Sequence, residues 1–557
     1  MNQLNLATQI ILVVLVSVLL LGAAVWALLR RRRAFRARIA ARFGQIPEAT
    51  EAATLQFLAE SWRFRQSHDE IPFFIDDTTW NDLDMDKVFS RVNACRTSTG
   101  EECLYARLHT PAMDEAPLRD WQTLLNTLEA QPDKRLALQV LLTKMGKSPA
   151  AGLLPFGCGA KSKRLKYPAV YTLLALMPLL CAGLFFVNAS LGLFAVLAAF
   201  IVNIVVYSLK KLSIERELAA LRSFSSLLWC AKKICRLGLS PEITASLEPR
   251  LRVFRRISGK MASLTREKLS DADMLADYVK IPLLTDIRNF NRALRLIGEH
   301  AADFRSLYDT VGALDAAAAV LSFRTSLPHW CRPQFTEARA VEAQEVYHPL
   351  LTSPVANDIS LTRSSLVSGS NASGKSTFIK ALAVNGIFAQ TIGICAARAY
   401  RTRFVLVVTS MAVRDDIEAG ESYFITELKS LRRVLDSVRH TDCVCYIDEI
   451  LKGTNTIERI AASAAVLGWL CAQPSLCMAA THDIELTRLL AGSMDNYHFA
   501  EQMTDAGMAF DYRLREGPSR TRNAIRLLGH MEFDASVLEE AERLVKRFEQ
   551  TGSWEAR

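Results

Sequence analysis

Residues 369–376 read Gly369-Ser370-Asn371-Ala372-Ser373-Gly374-Lys375-Ser376, a G-x-x-x-x-G-K-S pattern. The strand-like run SSLVS (364–368) comes directly before it, and the helical run TFIKALAVNGIFA (377–389) directly after. That context turns a glycine pattern into a phosphate loop. The glycines let the backbone wrap, so that amide N–H groups converge on anionic oxygens at a helix N-terminus. In such a loop Lys375 neutralises the β- and γ-phosphates of a nucleotide and the Ser376 hydroxyl ligates Mg²⁺. Gly369 to Ser376, with Thr377 in the first helical turn, are therefore the expected ATP-binding residues.

Working outward, a second half of the same site follows. Cys443-Val444-Cys445-Tyr446-Ile447 is an apolar strand that ends in Asp448-Glu449. A carboxylate at the carboxyl end of a central strand can hold Mg²⁺, and its neighbour can polarise an attacking water. An apolar run before two acids is weak evidence alone and strong beside a phosphate loop. A further apolar strand, LCMAA (476–480), ends in Thr481-His482, where a polar side chain can sense a γ-phosphate.

From residue 346 onward short apolar runs alternate with helical stretches, the texture of an α/β nucleotide-binding domain. Before it the pattern is helical. In IERELAALRSFSSLLWCAKKICRLG (214–238), Ile214, Leu218, Leu221, Phe224 and Leu228 fall roughly on one face. Two stretches interrupt this helical region. Residues 10–29 carry no charge and end in Arg30, Arg31, Arg32 and Arg33, with Arg36, Arg38 and Arg42 behind. Twenty residues at ~1.5 Å each match a bilayer core of ~30 Å. The charge sits after the apolar run rather than before it, so an uncleaved anchor with an external N-terminus is expected. Residues 167–209 are also uncharged and about twice the length of one crossing, which suggests a hairpin turning near Asn188-Ala189-Ser190. Lys161, Lys163, Arg164 and Lys166 precede it and Lys210 and Lys211 follow, as a hairpin rooted in the cytoplasm requires.

The net charge of +9 belongs to these flanks. They hold 13 arginines and lysines and no acidic residue, which leaves −4 for the rest of the chain. The basic excess is a membrane-surface feature and gives no support to nucleic-acid binding. Twelve cysteines in 557 residues, with no C-x-x-C pair, indicate neither a zinc ribbon nor a disulfide framework.

The order of phosphate loop, ESYFITELKSL (421–431), CVCYIDEILKGTNT (443–456) and MAATHDIEL (478–486) resembles the ATPase domain of the MutS mismatch-repair family, an ABC-type fold. Asn371, the DE-x-x-x-G-T-x-T element from Asp448 to Thr456 and Ala480-Thr481-His482 carry the resemblance. It implies ATP and Mg²⁺ as ligands, with Ser376 and Asp448 on the metal, Glu449 as water-activating base and His482 as switch residue. It also implies that Ser422 reaches the γ-phosphate of a partner subunit in a homodimer. VYHPLL (346–351) looks like the family's lead-in, which puts His348 near adenine. STGEECLYARLHTP (98–111) and VGALDAAAAVLSFRTSLPHWCRPQF (311–335) resemble the two ends of its core and lever region.

The expected architecture is thus multidomain: an N-terminal transmembrane anchor (1–35), a helical core (36–160), a transmembrane hairpin (161–211), a helical core and lever (212–345), the ATPase domain (346–530) and a C-terminal dimerisation helix (531–557). About 40 residues separate the first span from the core, too few for the family's mismatch-reading domain, and Ser370 replaces the family's usual proline. Two functions remain open. One is a membrane-anchored ATPase at the inner face of a cell membrane whose dimer engages DNA. The other is an ATP-driven switch acting on a membrane or protein partner without DNA.

Overall fold

The computed structural model describes residues 6–148, 152–159, 165–265, 283–370, 373–411, 423–504, 507–519, 525, 528, 531 and 533–551. They form two compact units: 1–70, 92–106 and 122–326 in the first, and 71–91, 107–121 and 327–557 in the second.

The first unit is helical. Its centre is the helix Ala301–Thr325, buried on nearly every side from Val311 to Arg324. The VGALDAAAAV run explains this burial, because small side chains allow neighbouring backbones to come close. A Cβ at Gly312 would collide with the Cys103 thiol, and one at Gly100 with the Asp315 carboxylate. Asp315 uses that closeness. Its carboxylate accepts the N–H groups of Arg96 and Thr97 and the Thr97 hydroxyl. It thereby caps the approach to the helix Ser98–His109, whose first amides have no intrahelical partner.

Among the described residues, three helices of this unit are long and apolar enough to cross a membrane by length and composition: Val14–Ala41, Pro168–Phe186 and Ala189–Lys210. The second and third are joined at Gly183–Phe186 by a short 3-10 turn, just before the expected bend. Pro178 lies inside the helix Pro168–Ala182 and has no N–H for the carbonyl of Leu174. Asn203, fully buried on the returning helix, donates its side-chain amide to that carbonyl at 2.8 Å. The backbone group orphaned by the proline is satisfied across the hairpin, as an apolar surrounding demands.

Among the described residues the second unit holds ten strands: β1 (Gln334–Phe335), β2 (Val341–Val346), β3 (Asn357–Leu361), β4 (Ser365–Ser368), β5 (Ala399–Thr402), β6 (Leu406–Ser410), β7 (Cys443–Asp448), β8 (Leu476–Thr481), β9 (Asp495–Thr504) and β10 (Gly507–Glu516). A six-stranded sheet runs β10-β9-β4-β8-β7-β6, parallel except for β10, and a four-stranded sheet runs β1-β5-β2-β3. Every residue of β4, β7 and β8 is buried, which is why their sequences are unbroken apolar runs rather than alternating ones. Val434, Cys445, Ile447, Leu467 and Ala479 form the core between this sheet and its helices.

The boundary expected at 346 falls inside this unit, at the end of β2. The strand VEAQEV buries only Val341, Ala343 and Val346 fully, so no long apolar run announces it. Residues 71–91 and 107–121, expected in the helical core, also belong here. Asp82 accepts the Thr409 hydroxyl at 2.7 Å and the Met411 N–H at 3.0 Å, and Lys380 pairs with Asp84 at 2.8 Å. Trp121 donates its indole N–H to the Ile392 carbonyl at 3.0 Å.

Candidate nucleotide site

Strand order brings the chemistry together. β8 lies between β4 and β7, with Ser368 opposite Thr481 and Asp448 opposite Ala480. The carboxyl ends of three neighbouring strands therefore meet, and each continues into one of the motifs. Ligands of open α/β sheets bind at such ends.

Beyond β4 the loop turns on Gly369 (φ 146°) and Gly374 (φ 105°), conformations that side chains resist. A Cβ at Gly369 would meet the Phe499 carbonyl at 3.0 Å, and one at Gly374 the Tyr512 ring at 3.1 Å. Ser373 donates its hydroxyl to the Ser370 carbonyl at 2.8 Å and closes the turn. Lys375 begins the helix Lys375–Thr391 and folds its ammonium back onto the carbonyls of Gly369 (2.8 Å) and Ser370 (2.6 Å). Thr377 is exposed at the mouth of a cavity of about 510 Å³. Asn371 and Ala372 lie outside the described residues, as does Ser422.

At the end of β7, Asp448 is buried and its carboxylate hydrogen-bonds with the Ser376 side chain. Burial raises its pKa, and the negative charge of Glu449 adds to the rise against the lowering from Ser376 and Lys375. Its Oδ1 is buried with no hydrogen-bond partner. Among the described residues no cluster of three His, Cys, Asp or Glu could hold a metal alone. One carboxylate with a spare buried oxygen beside one hydroxyl suits Mg²⁺, which takes few protein ligands and completes its shell with phosphate and water.

Glu449 has φ 52° and Leu451 φ 56°, left-handed values that non-glycine residues rarely hold outside sites that use the strain. The turn is fixed from the neighbouring helix Tyr423–His440, where Glu427 accepts the Lys452 N–H at 3.1 Å. Each oxygen of Glu449 has a partner: Oε1 pairs with Nε2 of His482 and Oε2 with the Lys452 ammonium. Burial raises the Glu449 pKa, but the Lys452 and His482 contacts outweigh it and hold the carboxyl below its ordinary range. The other ring nitrogen of His482, Nδ1, lies 3.0 Å from the Gly369 carbonyl. One imidazole thus links the phosphate loop to the acidic strand end.

His348 lines the same cavity as Lys375 and Ser376. Burial, with repulsion from Lys380, lowers its pKa to about 4, so it stands neutral and accepts the Leu350 N–H at 3.3 Å. Phe499 and Tyr512, which were not among the expected site residues, line the same cavity. Tyr512 sits at a bulge between Phe510 and Leu514 with φ 53°, and Asn357 holds it by donating to its carbonyl and accepting the Leu514 N–H. In the sequence Tyr512 opens the run YRLREGPSRTRNAIRLL (512–528), which resembles the MutS family's segment after the last strand, with no site role attached to it.

A phosphate loop after an inner strand, joined through one histidine to an acid pair two strands away, defines a P-loop nucleotide-binding domain. The finer assignment comes from comparison. Residues 365–549 match the family model described as MutS domain V. Over 252 residues the chain is 31% identical to MutS protein homolog 4 of Homo sapiens, covering 42% of this chain and 26% of that protein. It is 30% identical over 266 residues to the DNA mismatch repair protein MSH3 of Phaeosphaeria nodorum (44% and 24%), and 27% identical over 300 residues to the DNA mismatch repair protein MutS of Listeria monocytogenes (51% and 34%). Residues 365–549 thus form a domain of the MutS domain V type. The chain spans about a quarter to a third of the length of these relatives.

Proposed function

We propose that the protein is a membrane-anchored MutS-type ATPase that binds and hydrolyses ATP at this site and couples nucleotide state to DNA. The observation that carries the reading is Glu449, kept ionised and held between His482 and Lys452, next to Asp448 with its spare oxygen. Lys375 would release the loop carbonyls to meet phosphate oxygens, and His348 and Tyr512 would flank the base. Ser376 and Asp448 would hold Mg²⁺, which supplies positive charge to the phosphate oxygens. Glu449 would take the proton of the attacking water on one carboxylate oxygen, after the exposed Lys452 head has moved aside, while His482 keeps the other oxygen aligned.

Glu449→Gln should keep nucleotide affinity and lower turnover on the order of 10²-fold or more, because a general base supplies roughly 10²–10⁴. Steady-state ATPase rates beside binding of a fluorescent nucleotide check this. Wild-type turnover in the variant would move the base elsewhere.

A second reading is favoured by the charge distribution, since the chain outside the membrane flanks is net acidic at −4. In that reading ATP state acts on a membrane or protein partner instead. A salt titration of DNA binding by the detergent-purified protein separates the two. DNA engagement predicts affinity that falls steeply with log[salt]; no binding at low salt supports the partner reading.

A further inference from the structure

In the second unit Cys331 and Cys395 form an isolated antiparallel bridge and exchange both backbone hydrogen bonds, at 3.0 and 2.9 Å. Such a pair holds its Cα atoms about 5.5 Å apart, within the range a disulfide needs. Their side chains lie on the same side of the pairing, and the two thiols hydrogen-bond with each other. The chain has 12 cysteines, and this pair differs from the rest by combining cross-strand contact with access. Cys331 is half-buried and lines an open groove of about 930 Å³ together with Arg332, Arg398 and Arg401. Cys395 is fully buried behind it. The contrast is Cys445 and Cys477, register partners on β7 and β8, both sealed in the core where no reagent arrives.

The geometry points to a thiol–disulfide exchange site: Cys331 and Cys395 form a reversible intramolecular disulfide by reaction with a small-molecule disulfide that enters the groove. The Cys331 thiolate attacks the small disulfide, whose S–S bond breaks and releases one thiol. Cys331 then carries a mixed disulfide. Cys395, which burial keeps as the thiol, gives up its proton to the departing small thiolate as its sulfur attacks the Cys331 sulfur, forms the protein S–S bond and expels the second thiol. Two electrons pass from the protein dithiol to the small disulfide, and the two protein protons end on the two small thiols. The order of attack follows from access, because Cys395 is reached only through Cys331. The hydrogen bond from Cys395 also lowers the Cys331 pKa, which raises the fraction in the attacking form. In a strongly reducing compartment the pair rests as the dithiol, and a shift toward oxidised small thiols converts it.

The new bond would lie outside the nucleotide cavity but against the helix that leads from it. The Cys395 thiol lies 3.6 Å from the carbonyl of Asn385, on the helix that follows the phosphate loop. The next residue, Ala396, donates its N–H to the Asn385 side chain and accepts the N–H of Tyr347, the neighbour of His348.

The test uses the full chain in detergent, incubated with oxidised glutathione, alkylated and digested for mass spectrometry. The expected result is a linked Cys331–Cys395 peptide and the loss of two alkylatable thiols, both reversed by dithiothreitol. Cys395→Ala should stop at a stable glutathione adduct on Cys331, and Cys331→Ala should leave Cys395 unmodified. A wild-type protein that stops at the Cys331 adduct, pairs Cys445 with Cys477 instead, or shows no reaction at Cys331 across a series of glutathione ratios overturns the proposal. The wild-type measurement stands whether or not the variants fold, and it is independent of whether the site hydrolyses ATP.

Discussion

Asp315 is a carboxylate that the fold keeps from water while giving it donors. Burial raises its pKa to about 6, against the lowering from Thr97 and the Arg96 and Thr97 amides, with Glu101 adding repulsion. An unfolded aspartate titrates near ~3.9. Between those values the folded chain holds a proton that the unfolded chain has lost. The contribution is therefore complete below pH ~4 and disappears as pH rises through about 6, with an amplitude on the order of 3 kcal/mol for a two-unit difference. Asp84 works in the opposite direction and lower down. Despite partial burial, Lys380 and Lys87 hold its pKa at about 2, so its stabilisation is lost only as pH falls through that value. Urea unfolding between pH 4 and 7 should show a falling midpoint that Asp315→Asn flattens. Equal slopes in both proteins would show that Asp315 titrates normally.

At the scale of elements, the hairpin helices carry a reciprocal device. Leu174 offers a carbonyl that Pro178 cannot use, and Asn203 uses it. Asn203→Leu should destabilise the hairpin by about 1 kcal/mol, the usual size of such a bond between apolar helices. In a Pro178→Ala background the same change should be nearly harmless, because the substituted alanine would return an N–H to the Leu174 carbonyl. A thermodynamic cycle in micelles reads the coupling directly, and additive effects would remove the assignment. The proline was visible in the sequence, whereas its remedy was not, since nothing local links residues 178 and 203.

The nucleotide site divides the same way. Lys375, Asp448, Glu449 and His482 were legible because each ends or follows an unbroken buried strand, and parallel pairing brings those ends together without further information. Tyr512 and Phe499 were not, because the first depends on a backbone bulge and the second on a neighbouring strand. The strand β2 and the residues 71–91 escaped for a related reason. In β2 burial is partial, and in 71–91 the buried Met85, Val88 and Phe89 announce a helix but not the unit it joins, which polar pairs such as Asp82 with Thr409 decide without a local sequence mark.

For the whole molecule, we propose from the three apolar helices and the basic residues flanking them in sequence an anchor with the nucleotide domain on the cytoplasmic side. Leu19, Leu20 and Leu21 are each about two-thirds exposed, an apolar surface that water does not favour. A reporter fused at the N-terminus should map outside the membrane, and reporters at Lys161, Lys211 and Arg557 inside. A cytoplasmic N-terminus with an external residue 161 would remove the three-span arrangement.

The first helix runs without a break from Leu6 to Ala41, through the four arginines and on to Ile39, which is buried. Twelve residues beyond Leu29 extend it by about 18 Å. A tether of glycine and serine would let the attached helices wander; a continuous helix is a stiff shaft. With the anchor we propose, the first unit would be mounted at a set height above the lipid, and any rocking of its helices would reach the bilayer as a tilt of that shaft, with no slack to absorb it.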